Sequence, residues 1–150
     1  MIVVCIVHIA TFYVRNHKKI EQKEMKIPSN LLYTNDHEWV RIEEEIAYIG
    51  ITDFAQKELG DIVYVEIESV GETLKQNDVF GTVEAVKTVS DLFLPLDGEV
   101  LQLNLKLESN PELVNEDPYG DGWMITLKID ANTHLDNLLK ANDYASLIGV

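Results

Sequence analysis

At 150 residues the chain is long enough for one domain with a sizeable core and too short for two to be expected. Apolar residues make up 46% and charged ones 25%, the balance of a folded domain rather than a disordered tail. A net charge of −14 repels nucleic acid, and the single cysteine, Cys5, excludes an internal disulfide framework and a cysteine-rich zinc site.

Residues 1–14 are almost wholly apolar, and Arg15, Lys18, Lys19 and Lys23 follow, with only Glu21 and Glu24 against them. The run is too short for a bilayer-spanning helix, which needs about 20 residues. Its positive charge comes after the apolar stretch, where a secretory signal has it before, and one Arg with no Ser ahead of Ser29 does not suit a transit peptide. Residues 1–24 are therefore expected to be an extension, either a mis-assigned start or a disordered or weak membrane-surface segment, ahead of a single domain at 25–150. That domain would hold 8 basic and 24 acidic residues, a net charge of −16, because residues 1–24 contain four basic and two acidic ones. Like charge favours a soluble monomer that meets partners through complementary patches. His8, His17, His37 and His134 make no pair at ligand spacing, so no metal site is expected.

The stretch from Tyr33 to Ile51 predicts a hairpin, Glu38–Ile42 and Ile46–Gly50 about a polar turn at Glu43–Glu45, with Trp39 packed on a strand face. Thr52 to Gly60 is punctuated as a two-turn helix: Thr52 caps it, Asp53 meets the positive end of its dipole, and Gly60 stops it. Phe54, Ala55 and Leu59 are expected to face inward. Asp61–Val70 alternates as a half-buried strand, Val63, Val65 and Ile67 against Tyr64, Glu66 and Glu68. After the Gly71 turn, Val79–Val83 enters a hairpin, and Gly81–Asp91 followed by Leu92–Val100 reads as two short strands with Lys87 at the tip. Gly98 turns the chain into a strand from Glu99 to Leu107 with Leu101, Leu103, Leu105 and Leu107 on one face. Asn110–Gly122 is dense in turn formers and predicts a loop with at most one helical turn. Trp123, Ile125, Leu127 and Ile129 then alternate with Met124, Thr126 and Lys128 as another strand, and Leu135, Leu138 and Leu139 recur at helical spacing within Asn132–Gly149.

A lysine at a hairpin tip is either a solvated turn residue or a handle. Nothing in the chain pairs a serine or cysteine nucleophile with a base, cradles a phosphate or clusters metal ligands, so no catalytic residues are assigned and any chemistry must be a cofactor's.

From Ile62 to Val100 the chain resembles the lipoyl and biotinyl carrier domains, in which one lysine on a β-turn is amidated by the cofactor acid. Glu84-Ala85-Val86-Lys87-Thr88-Val89-Ser90-Asp91 resembles the glycine cleavage system H-protein family, as do Tyr33-Thr34-Asn35-Asp36-His37-Glu38-Trp39 and Leu113-Val114-Asn115-Glu116-Asp117-Pro118-Tyr119-Gly120-Asp121-Gly122-Trp123-Met124. The methionines that flank a biotin-carrier lysine are replaced by Val86 and Thr88, and the Asp-Lys-Ala of 2-oxoacid dehydrogenase lipoyl domains is absent. Met25 opens a segment like the usual beginning of that family. The resemblance implies a mainly β, lipoyl-domain-like sandwich (a barrel-sandwich hybrid) of two antiparallel sheets, with a short helix after the first hairpin and a carboxy-terminal helical segment.

It also implies a non-catalytic carrier with lipoate on Lys87. Its partners would be the P protein (glycine decarboxylase), the T protein (aminomethyltransferase) and the L protein (dihydrolipoyl dehydrogenase), with a lipoate ligase or octanoyltransferase to load it. Asp91, Glu38 and Asp36 match positions beside the loaded arm in the family, and Glu84 matches a recognition position for the lipoylating enzyme; Asp91 could equally serve recognition. The location implied is the bacterial cytoplasm, or the mitochondrial matrix in a eukaryote. Three rival readings stand beside this one: a lipoate relay to other lipoyl domains, a biotin carrier, and an unmodified interaction module.

Overall fold

Alternating apolar and polar residues pair into nine antiparallel strands in two sheets, seen in a computed structural model that describes residues 24–150. The expectations for the apolar amino-terminal stretch lie outside the described residues. In chain order the strands are β1 (Leu32–Tyr33), β2 (Glu38–Glu43), β3 (Ile46–Ile51), β4 (Ile62–Glu66), β5 (Thr73–Leu74), β6 (Val79–Ala85), β7 (Val89–Phe93), β8 (Gly98–Leu103) and β9 (Ile125–Lys128). Helix α1 (Asp53–Leu59) follows β3, the single turns α2 (Lys106–Ser109) and α3 (Leu113–Glu116) precede β9, and α4 (Ala141–Ile148) closes the chain. The larger sheet has the order β1-β2-β3-β9-β8-β5 and the smaller β4-β6-β7. The fold is the mainly β, lipoyl-domain-like sandwich that the resemblance implies.

The core lies between the sheets. Val40, Ala47, Ile49, Val100, Ile125 and Leu127 from the larger sheet meet Phe80, Val83 and Leu92 from the smaller, all buried. A second cluster, Leu31, Tyr33, Trp39 and Tyr144, lies where α4 covers β1 and β2, and Tyr33 stacks on Tyr144 at 4.7 Å between ring centroids. Trp39 is fully buried there and donates its indole N–H to the Pro118 carbonyl at 2.9 Å. Its ring passes so close to Gly50 that a Cβ at that position would sit 2.8 Å from it.

The structure corrects four local expectations. Val63 is 47% exposed because a bulge between Ile62 and Tyr64 against β6 turns it out and lets Ile62 fill the core. The leucine face expected from Leu101 to Leu107 is broken by a register shift between Val100 and Gln102 and by α2, which leave Leu105 outside and Leu107 buried. In α1 the buried residues are Asp53 and Gln56, with Ala55 and Leu59 only packed against the core edge. The burial is tolerated because Asp53 binds the Lys57 ammonium at 2.8 Å and the Gln56 amide at 2.8 Å, and Gln56 in turn accepts from Asn115 at 2.9 Å. Residues 132–140 are turns rather than helix: Leu139 exchanges backbone hydrogen bonds of 2.7 and 2.8 Å with Tyr33, so its leucine spacing serves a β-bridge.

Candidate functional site

Strands β6 and β7 pair from Val79↔Phe93 to Glu84↔Val89, and the Ala85 N–H reaches the Thr88 carbonyl at 2.8 Å, leaving Val86 and Lys87 at the tip. Val86 is anchored from below, its N–H donating to the Asp61 carbonyl at 3.1 Å, while its side chain is 76% exposed. Lys87 is exposed and has no ion pair among the described residues. Its stem runs past Gly60, where a Cβ would stand 3.6 Å from Lys87 Cε. Gly60 has φ +82, a conformation that suits glycine, so the close of α1 and the path of the lysine share one residue.

One residue before Gly60, Leu59 forms part of a cleft of about 420 Å³. Its walls come from the β1–β2 loop (Asp36, His37), from the start of β2 (Glu38), from α1 (Phe54, Glu58, Leu59) and from β6 and β7 (Val83, Ser90, Asp91). The three carboxylates expected beside a tethered arm, Asp36, Glu38 and Asp91, therefore meet in one cleft although they come from both sheets. Glu84 does not join them. It lies exposed in a cross-strand row with Tyr64 and Val89, below the lysine. His37, Phe54 and Glu58 carry no individual signal in the sequence; the turn-forming run Asn35-Asp36-His37 is the only hint of the loop that brings His37 in.

The carboxylates differ in character. Glu38 is 2% exposed and accepts from the Phe93 N–H at 3.2 Å and from the Thr34 hydroxyl. Burial outweighs these bonds and pushes its carboxyl up to about 7. Asp36 is exposed and held by a bond from its own N–H to Thr34 Oγ1 at 3.2 Å; Asp91 is exposed at the edge of β7. Burial lowers the His37 imidazole from its ordinary value, with Asp36 and Glu58 opposing.

A cationic group on a flexible arm would find anionic partners here beside an apolar floor of Leu59, Val83 and Leu92. The donor set suits an amide-linked acyl cofactor: an exposed primary amine on a rigid tip, with a cleft close to its stem. Lysine plus a lipoyl chain reaches about 14 Å from Cα, taking about eleven bonds in zigzag. Among the described residues no group of three or more His, Cys, Asp or Glu side chains is arranged to hold a metal ion.

Comparison with known proteins gives one consistent answer. The family model described as "Glycine cleavage H-protein" matches residues 31–149. The chain is 57% identical over 124 residues to a glycine cleavage system H protein of Bacteroides fragilis, covering 83% of this chain and 98% of that one. It is 55% identical over 123 residues to one of Salinibacter ruber, covering 82% and 99%. The crystal structure of a glycine cleavage system H protein from Mycobacterium marinum superposes with a TM-score of 0.76 at 37% identity, over 83% of this chain and 100% of that one.

Proposed function

Because this chain belongs to the glycine cleavage H-protein family, we propose that it is the lipoyl carrier of that system, with lipoate amide-linked to Lys87 and a single carrier domain at residues 25–150. The chain is a carrier component of the glycine cleavage system and not an enzyme. The observation that carries the finer reading is the pairing of an exposed lysine at a hairpin tip with an acidic cleft beside its stem.

When bound, the lipoyl group supplies the sulfurs that take the aminomethyl group of glycine from the P protein, yield it to the T protein and pass electrons to the L protein. The chain's own residues do the rest. Acylation removes the Lys87 charge, so the side chain becomes a neutral tether able to enter apolar sites. Tethering holds the reacting atoms at millimolar order near any docked active site. Asp91, Glu38 and Asp36 hold a terminal ammonium in the cleft between visits, Asp36 and Asp91 from its mouth and Glu38 from its wall. Glu84, exposed beneath the tip, is a contact for the lipoate ligase or octanoyltransferase. No helix among the described residues is long and apolar enough to cross a membrane, and the net charge of −14 suits a monomer in the cytoplasm.

The test is Lys87→Arg, which keeps charge and bulk but cannot accept an acyl group. The variant folds as the parent does, shows no lipoyl mass increment in an intact-mass spectrum, and supports no glycine decarboxylation with the P protein. Activity with the Arg variant, or a biotinyl increment on the parent, overturns the proposal.

A further inference from the structure

His37 stands in the cleft in an unusual backbone state, with φ 72, a region that histidine tolerates better than most residues but seldom occupies. The turn is pinned on both sides: the His37 N–H reaches the Thr34 carbonyl at 3.3 Å, and its own carbonyl accepts from the Thr52 N–H at 2.9 Å. The ring lies 4.8 Å from Phe54 between centroids, and its Nδ1 is 2.9 Å from the Tyr144 hydroxyl, supplied by α4 from 107 residues away. The Tyr144 hydroxyl is in turn 2.7 Å from Thr52 Oγ1, which is fully buried and already accepts the Ala55 N–H at 3.1 Å.

Proton counting settles the direction of this chain of bonds. The Thr52 hydroxyl has one hydrogen to donate, and among the described residues the Tyr144 oxygen is the acceptor within its reach. If Thr52 donates to Tyr144, the Tyr144 hydrogen goes to His37 Nδ1, and the imidazole proton must sit on Nε2. The opposite order, with Nδ1–H donating to Tyr144, leaves either the Thr52 or the Tyr144 hydrogen buried without a partner, at the cost of an unmade bond. Protonating the ring forces that opposite order. The arrangement therefore opposes both the other tautomer and the charged ring, in the same direction as burial.

We propose that His37 is a positioning residue of the arm cleft: Thr52 and Tyr144 lock its imidazole neutral with the proton on Nε2, so that it offers a docked arm one N–H donor and brings no positive charge among the carboxylates. The charged groups that act on the ring are Asp36 on its own loop and Glu58 on α1, Tyr144 on α4 is bonded to it, and Glu38 on β2 and Asp91 on β7 line the same cleft. An imidazolium in that company would pair with Asp36 and Glu58 and turn away the ammonium that the cleft is proposed to hold. The inference rests on the carrier reading for its purpose, but not for its chemistry.

The experiment is long-range ¹H–¹⁵N spectroscopy of the imidazole in the full chain, first without lipoate. The parent shows an acceptor-type Nδ1 and a protonated Nε2 at pH 7 and above, and its imidazole titrates below the ordinary value. Tyr144→Phe, which keeps the stack on Tyr33 but removes the relay, moves the His37 titration upward towards its ordinary value and mixes the tautomers. Thr52→Ser, which keeps the hydroxyl, behaves as the parent. An Nδ1–H tautomer, an imidazolium at pH 7 in the parent, or an unmoved titration in Tyr144→Phe overturns the lock. Loading Lys87 and adding the aminomethyl group shifts the Nε2–H resonance; an unmoved resonance overturns the positioning role. A chain that never carries lipoate defeats the carrier reading and leaves the tautomer result standing, so the two failures are distinguishable.

Discussion

Glu38→Gln preserves shape while deleting a titration, and its consequence follows from where the carboxyl sits. In the unfolded chain the group ionises near 4.5, whereas burial in the folded protein pushes it up to about 7. Between those values the folded state still holds a proton that the unfolded state has released. The stability contributed by that proton is full below pH 4.5 and is lost as pH rises through 7, a total of about 3 kcal/mol. Over the range from pH 5.5 to pH 8, where an acidic protein stays soluble, about 2 kcal/mol of the loss falls. The glutamine brings a constant penalty of its own. Thr34 Oγ1 already accepts the N–H groups of Asp36 and Glu38 at 3.2 and 3.1 Å, so an amide NH₂ facing it is poorly met. The quantity to measure is therefore the change with pH. Urea unfolding of unlipoylated parent and variant at fixed ionic strength gives a stability difference that moves by about 2 kcal/mol in the variant's favour from pH 5.5 to pH 8. Parallel curves would show that the carboxyl is not desolvated as described, and with it the view of Glu38 as an acid poised between charged and neutral.

Asp91→Ala shortens the lifetime of the aminomethyl-loaded protein without preventing lipoylation; an unchanged lifetime, followed by mass spectrometry, removes Asp91 from the cleft's ammonium-holding set. Gly50→Ala drives a methyl into the Trp39 ring, whose indole is fixed by Pro118, and lowers stability by about 1–3 kcal/mol in a denaturant titration. Burial pushes the Asp53 carboxyl up, but the Lys57 ammonium, the Lys26 N–H and the Gln56 amide together outweigh it and hold the group below its ordinary 3.8. Its contribution is present above that ordinary value and is lost as pH falls through the lowered one. Asp53→Asn therefore costs on the order of 1 kcal/mol at pH 7 and flattens the acid limb of the stability curve, read by urea midpoints at pH 7 and pH 3.

Much of the sandwich was legible because strand alternation is a local signal: both hairpins, the Thr52 cap, the Gly60 stop and the tip lysine lie where their neighbours predict them. The failures share one cause, contact with distant chain. Nothing near Val63 announces the bulge that its pairing with β6 requires, and nothing near Leu139 announces Tyr33 as its partner. The polar inner face of α1 was hidden because it depends on Asn115 and Lys26. The cleft shows the same divide. Asp36, Glu38 and Asp91 were found by position in a familiar motif, whereas His37 takes its meaning from a tyrosine at the far end of the chain.

The three-stranded sheet has two outer margins, and a bare margin invites a second molecule to add a strand. On β7 the Phe93 N–H is taken by the Glu38 carboxylate, and on β4 the Ile62 N–H is taken by the Asn115 amide oxygen at 2.9 Å. Each side chain thus plugs a donor that could otherwise template stacking. The sheet is in this way discouraged from adding a strand of a second copy, and the residue that blocks one margin is the same acid that lines the cleft.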